Sequence, residues 1–201
     1  MNKLYFRYGA MGSSKTAQAL MIKFNYQQKG FNVFLFKPIC DNRCQENGKS
    51  YVSSRIGLKS ECLEFTKEDN FFDICQKHMI VNVNKIQKNV IIVDECQFLT
   101  KSQVEELKEL SLFLPVLCFG LLTNYKTELF EGSKRLIELA DSINEIKSVC
   151  RCGRKATINA RLNDGKIVCE GEEIVIGGDD RYEGMCYHCY KTKLNKQNKG
   201  S

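Results

Sequence analysis

Apolar and polar positions follow two regimes along this chain. In the first, short apolar runs with little alternation are separated by stretches of helical spacing. Residues 3–8 (KLYFRY) predict a strand that ends at Gly9. Residues 15–28 carry Ala19, Leu20, Ile22, Phe24 and Tyr26 at helical spacing, and Gly30 stops that helix. Residues 32–37 (NVFLFK) predict a buried strand closed by Pro38, and the polar stretch 41–60 reads as a long loop. Further on, 61–65 predicts a strand, 69–78 a helix, 90–93 (VIIV) a strand, 101–110 a helix, 116–119 (VLCF) a strand, 128–140 a helix and 143–149 a strand. Unalternating strands between helices predict an α/β fold, a parallel sheet covered by helices on both faces. The second regime begins at residue 150. Short β-like pieces at 155–162, 166–169 and 173–176 are punctuated by Asp164-Gly165 and Gly177-Gly178. Three segments result: 1–149, 150–190 and a lysine-rich tail at 191–201.

Composition narrows the setting. The chain has 201 residues, of which 43% are hydrophobic, and only two prolines, so it is globular rather than low-complexity. Its net charge of +6 is mostly a property of the tail, where Lys191, Lys193, Lys196 and Lys199 occur with no acid. The body is near neutral and does not call for nucleic acid, and the tail reads as disordered. No apolar run approaches the ~20 residues of a membrane span, and the start does not resemble a signal peptide. A cytoplasmic protein without a membrane partner is expected. In that setting the 11 cysteines serve a core or a metal rather than disulfides.

Two segments carry candidate chemistry. Gly9-Ala10-Met11-Gly12-Ser13-Ser14-Lys15-Thr16 follows a strand and opens a helix, one residue away from the phosphate-loop pattern G-x-x-x-x-G-K-[S/T]. Backbone N–H groups of such a turn point at phosphate oxygens, Lys15 reaches the outer phosphates, and the Thr16 hydroxyl can ligate Mg²⁺. Ser14 stands where the pattern has glycine; a positive φ there would cost about 1–2 kcal/mol. The second segment, Val90-Ile91-Ile92-Val93-Asp94-Glu95-Cys96-Gln97-Phe98, puts two acids at the carboxyl end of a buried strand, where open α/β sheets bind ligands. Asp94 suits the Mg²⁺ side and Glu95 a general base.

With these motifs the chain resembles the thymidine kinases of the cellular, zinc-containing type. The resemblance also rests on Lys37-Pro38 with Asp41-Asn42-Arg43, Ser54-Arg55-Ile56-Gly57, Phe119-Gly120-Leu121, Leu129-Phe130-Glu131-Gly132, Leu139-Ala140-Asp141, Gly153-Arg154-Lys155-Ala156, Val175-Ile176-Gly177-Gly178 and Arg181-Tyr182. It implies transfer of the ATP γ-phosphoryl group to the 5′-hydroxyl of thymidine in nucleotide salvage, with Glu95 as base. It places Arg43 near the reacting phosphates and Asp41 close by. It makes Met11, Gln97, Phe98, Leu121, Tyr125, Phe130 and Tyr182 substrate contacts, with Val175, Ile176, Gly177 and Gly178 in a "lasso" loop that grips thymine through its backbone. A homotetramer is also implied. Leu122, Asn124 and Asn159 depart from residues common in the family, and Asn159 stands where some members have a threonine beside the thymine methyl.

Cys186-Tyr187-His188-Cys189 supplies a C-x-x-C turn and Cys150-Arg151-Cys152 a tighter C-x-C. Four thiolates from these pairs would close a structural zinc tetrahedron at the base of the lasso, a small zinc-binding domain, with His188 as the substitute if Cys189 cannot reach. Two other readings remain open from the residues. One is a zinc-containing P-loop ATPase or nucleic-acid-binding module; the other is a catalytically weakened nucleoside-binding homologue, motivated by Ser14.

Overall fold

A computed structural model describes residues 3–41, 45–46, 48–79, 88–171 and 182–199. Its main sheet has six strands in the order β6-β2-β7-β8-β1-β9, and every pairing is parallel. The strands are β1 (Leu4–Tyr8), β2 (Asn32–Pro38), β6 (Leu63–Phe65), β7 (Asn89–Val93), β8 (Val116–Gly120) and β9 (Ser142–Glu145). Alternate residues of the central strands enter two different cores. Leu4, Phe6, Ile91, Val93, Val116 and Cys118 face one side, with Val104, Leu107 and Leu136 from helices α3 (Lys101–Leu110) and α4 (Glu131–Leu139) and Phe71 from α2 (Phe71–Met79). Val90, Ile92, Leu117 and Phe119 face the other, with Ala19 and Leu20 from α1 (Lys15–Gln28). Both faces of the strands are buried, which is why they read as unbroken apolar runs.

Local chemistry sets several boundaries. Thr100 caps α3 through a capping box with Gln103, and the Gln103 amide donates to the carbonyls of Thr66 at 2.7 Å and Asp69 at 2.9 Å. The helix expected over 128–140 starts later, because Asn124 Oδ1 accepts the N–H groups of Lys126 and Glu128 and Thr123 bridges Leu129. That turn holds Phe130 extended, and α4 begins after it. The expected loop at 41–60 is instead partly a small antiparallel sheet of β3 (Gln45–Glu46), β4 (Lys49–Ser53) and β5 (Lys59–Glu61). Its strands are short and polar, with Val52 their one buried apolar residue among those described, so no hydrophobic pattern announces them.

Beyond residue 150 a three-stranded antiparallel sheet, β11-β10-β12, has its own core of Cys150, Ala156, Ile158, Ala160, Ile167, Met185, Cys186 and Tyr190. It comprises β10 (Ile158–Asn163), β11 (Lys166–Ile167) and β12 (Tyr182–Met185). Asp164 and Gly165, at φ 47° and 74°, form the two-residue turn between β10 and β11. The expected piece at 173–176 lies outside the described residues.

The tail departs from the disorder expected of it. Helix α5 (Tyr187–Lys199) continues through the lysines, and the Gln197 side chain accepts the Ile167 N–H at 2.8 Å and donates to the Ile167 carbonyl at 3.1 Å. Lysine is a good helix former, and this docking onto β11 supplies the tertiary contact that composition cannot show.

Candidate active site

The phosphate-type loop leaves β1 at Gly9. A side chain there would collide with the Ile146 carbonyl and Ser13, so only glycine fits. Gly12 has φ 75°, and Ser14 is itself left-handed, with φ 61° and ψ 26°. The strain expected at Ser14 is therefore present. Lys15, 8% exposed, opens α1 and donates to the carbonyls of Gly9 and Ala10, both at 3.1 Å. Burial lowers its pKa, and the nearby charges of Glu95 and Asp94 oppose that shift.

The acid pair comes from the end of β7. Asp94 is buried and its carboxyl is pushed up to about 7, first by burial and then by the negative charge of Glu95. The Thr16 hydroxyl lies close enough to oppose that rise, whereas Asp94 Oδ1 has no hydrogen-bond partner among the described residues. An unsatisfied buried carboxylate oxygen beside a hydroxyl is a hard donor set that suits a divalent cation such as Mg²⁺. Glu95 sits at φ 51°, ψ 41°, a left-handed conformation in a non-glycine residue at the mouth of a sheet. Its carboxylate accepts from Gln97 Nε2 at 2.6 Å.

Gln97 also accepts the Leu121 N–H through Oε1 at 3.0 Å, and the Leu121 carbonyl accepts from Ser133 Oγ at 2.6 Å. Leu121 is thus held at both backbone ends. Phe98 and Phe130 meet edge to face at 5.9 Å between ring centroids. Tyr125 is 2% exposed; its hydroxyl donates to the Gly171 carbonyl at 2.8 Å, and the Arg161 guanidinium lies 5.3 Å from its ring centre. Tyr182 opens β12 opposite Arg161. Met11 is joined to this side through Asn159, which accepts the Met11 N–H and donates to the Thr123 carbonyl.

The fold therefore brings Lys15, Thr16, Asp94 and Glu95 to one edge of the sheet, with Gln97 and Leu121 beside them. Arg43, Val175, Ile176, Gly177 and Gly178 lie outside the described residues. Asp41 is half-buried, and its carbonyl accepts from Lys37 Nζ at 2.7 Å. Two residues gain places that sequence reasoning did not assign. Lys37 is wholly buried, and its ammonium sits between Asp41 and Glu64, the latter at 3.7 Å. A lysine closing a buried strand just before Pro38 was the available signal. Arg55, named only as part of the Ser54–Gly57 motif, is exposed and reaches to 4.0 Å from the point where a Gly12 side chain would begin.

The four thiols of Cys150, Cys152, Cys186 and Cys189 lie within 4.8 Å of one another. The short C-x-C pair reaches because Gly153, at φ 83°, closes a turn in which the Cys150 N–H donates to the Arg154 carbonyl at 2.7 Å. Cys189 takes the fourth corner, so the substitute His188 is not needed. The Cys189 N–H donates toward Cys186 Sγ, and the Cys186 thiol is drawn down to about 6, first by that backbone bond. Four thiols with this span form the donor set of a closed tetrahedral zinc site.

A parallel sheet whose first strand runs into a phosphate-type loop, with an acid pair at the same end of β7, one strand removed, defines a P-loop nucleotide-binding protein. A family model described as thymidine kinase matches residues 2–190. The chain is 42% identical over 200 residues to the thymidine kinase of Vibrio vulnificus (strain CMCP6), covering 98% of this chain and 100% of that protein. It is 41% identical over 199 residues to that of Haemophilus influenzae, with coverage of 98% and 100%. The chain belongs to the thymidine kinase family, and its four-thiol cluster fits the zinc-containing type.

Proposed function

We propose that this protein transfers the γ-phosphoryl group of ATP to the 5′-hydroxyl of thymidine, giving dTMP for nucleotide salvage. The observation that carries this reading, within the family, is the meeting of Lys15 and Thr16 with Asp94 and Glu95 at one sheet edge. Loop amides and Lys15 hold the ATP phosphates, with Arg43 and Arg55 adding positive charge near the reacting centre. Glu95, oriented by Gln97, takes the proton of the 5′-hydroxyl as its oxygen bonds to the γ-phosphorus. The bond from that phosphorus to the bridging β–γ oxygen breaks, and ADP leaves. Mg²⁺, held by Thr16 and Asp94, supplies neutralising charge to the phosphates.

On the acceptor side, Met11, Phe98, Leu121, Tyr125, Phe130 and Tyr182 offer apolar and aromatic surface for thymine, and Val175 to Gly178 its backbone grip. Zn²⁺ on the four thiolates is structural and ties the ends of the segment carrying that grip. Among the described residues no helix is long and apolar enough to cross a membrane. A cytoplasmic setting suits the free thiols, and a homotetramer belongs to the same reading.

ADP release tests the reading, measured with ATP, Mg²⁺ and each deoxynucleoside in turn, then with single-stranded DNA. Thymidine-dependent turnover that is abolished by Glu95→Gln is expected. Turnover stimulated by DNA without nucleoside would instead favour the ATPase reading.

A further inference from the structure

Asn159 belongs to β10, on the zinc side of the molecule, yet its side chain is spent outside that sheet. Its Oδ1 accepts the Met11 N–H of the phosphate loop at 2.9 Å, and its Nδ2 donates to the Thr123 carbonyl beyond β8 at 2.8 Å. The residue is 4% exposed. One partner is an N–H and the other a carbonyl, so only a group with an acceptor and a donor side by side satisfies both. A carboxylate would face the Thr123 carbonyl with like charge, and an aliphatic side chain would orphan two backbone groups.

The loop meets the same sheet a second time. Gly184 is the register partner of Asn159 across β10 and β12, and a side chain there would begin 2.7 Å from the Met11 carbonyl oxygen. Ala10 packs against the zinc-side core. Residues 10 and 11 are therefore held through their N–H, their carbonyl face and a methyl group by one small sheet.

We infer that Asn159 is a positioning residue: with Gly184 it fixes the phosphate loop at Met11 and, through Thr123, ties it to the loop bearing Leu121 and Tyr125. The zinc-side sheet thereby sets the conformation of the ATP-binding loop. This deepens the kinase reading and rests on it for its kinetic consequences, but the mechanical claim concerns the loop alone.

The test compares wild type, Asn159→Leu, Gly184→Ala and the double variant, all as full-length protein. With either single change, KM for ATP is expected to rise about fivefold or more and kcat to fall about tenfold, because an unanchored loop misplaces the γ-phosphate. Amide exchange at residues 10–13 should quicken about tenfold, while zinc content stays that of wild type. The double variant should be little worse than either single one, since both release the same anchor. Unchanged exchange and unchanged KM for ATP in Asn159→Leu would overturn the inference, as would fully additive losses. Should wild type show no thymidine-dependent turnover, the kinase reading fails by itself, and loop exchange still decides the role of Asn159. If Asn159→Leu does not fold, Asn159→Ser, which can keep only one of the two bonds, takes its place with the same criteria.

Discussion

Gln97 and Glu95 are joined by a 2.6 Å hydrogen bond whose direction is fixed from the far end of the amide. Gln97 Oε1 accepts the Leu121 N–H, so Nε2 must face the Glu95 carboxylate. Gln97 is 3% exposed, and the Gly120 position is tight against its Oε1, so the side chain has little room to turn. Replacing it with leucine removes this bond to Glu95 and leaves the Leu121 N–H without its Gln97 acceptor. Gln97→Leu is expected to lower kcat by about ten- to a hundredfold and to cost about 1–3 kcal/mol of stability. Steady-state ADP release and urea denaturation measure the two effects.

Asp94 makes stability depend on pH in the sense opposite to an ordinary salt-bridged carboxylate. Its carboxyl is raised to about 7 by burial and by Glu95, so the folded protein favours the neutral form. The associated stability is complete below the unfolded value near 4 and is lost as pH rises through about 7. Without added Mg²⁺ or nucleotide, Asp94→Asn should gain on wild type by about 2–4 kcal/mol between pH 4 and pH 8. Mg²⁺ at pH 8 should raise the melting temperature of wild type and leave that of Asp94→Asn unmoved.

Ser14 holds a left-handed conformation without a compensating cap bond from its side chain. Relief of about 1–2 kcal/mol of backbone strain exceeds the roughly 0.5–1 kcal/mol of chain entropy that glycine adds. Ser14→Gly is therefore expected to stabilise the protein by about 0.5–1 kcal/mol. Chemical denaturation would show the gain as a higher midpoint at unchanged slope.

The thiol cluster should bind about one zinc per chain, and less than ~0.3 with thiols intact would count against the site. Cys150 and Cys186 are part of the core beneath β10 and β12. Cys186→Ser is therefore expected to lose zinc, to open residues 150–190 to proteolysis and to abolish turnover.

Gln197 lies beyond the family match, which ends at residue 190. Gln197→Ala should quicken exchange at the Ile167 amide, consistent with about 1 kcal/mol of local stability lost with the two bonds. Turnover should change far less than with Asn159→Leu.

The main sheet was legible because its strands are buried on both faces. Runs such as 90–93 and 116–119 carry that burial in their composition, and the intervening helices show their own period. The glycine-rich turn at 9–16 and the Asp94-Glu95 pair were legible as candidates because a strand-to-helix turn and acids at a strand end are local patterns of residue type. The β3-β4-β5 sheet and α5 were not, because their stability comes from backbone pairing and from contacts such as Gln197 with Ile167, which leave no apolar period.

By itself, then, the sequence determined the α/β class, the loop, the acids and the four cysteines, all of which depend on local pattern or on the chemistry of single side chains. Tertiary structure decided what those residues do to one another. It chose Cys189 over His188, burying Cys186 beneath the sheet and leaving His188 exposed on α5. It turned Asn159 from a departure beside the thymine site into a bridge between Met11 and Thr123, partners 148 and 36 residues away. The reason is physical: a polar side chain in a core takes its meaning from the donor and acceptor opposite it, and those lie far away along the chain.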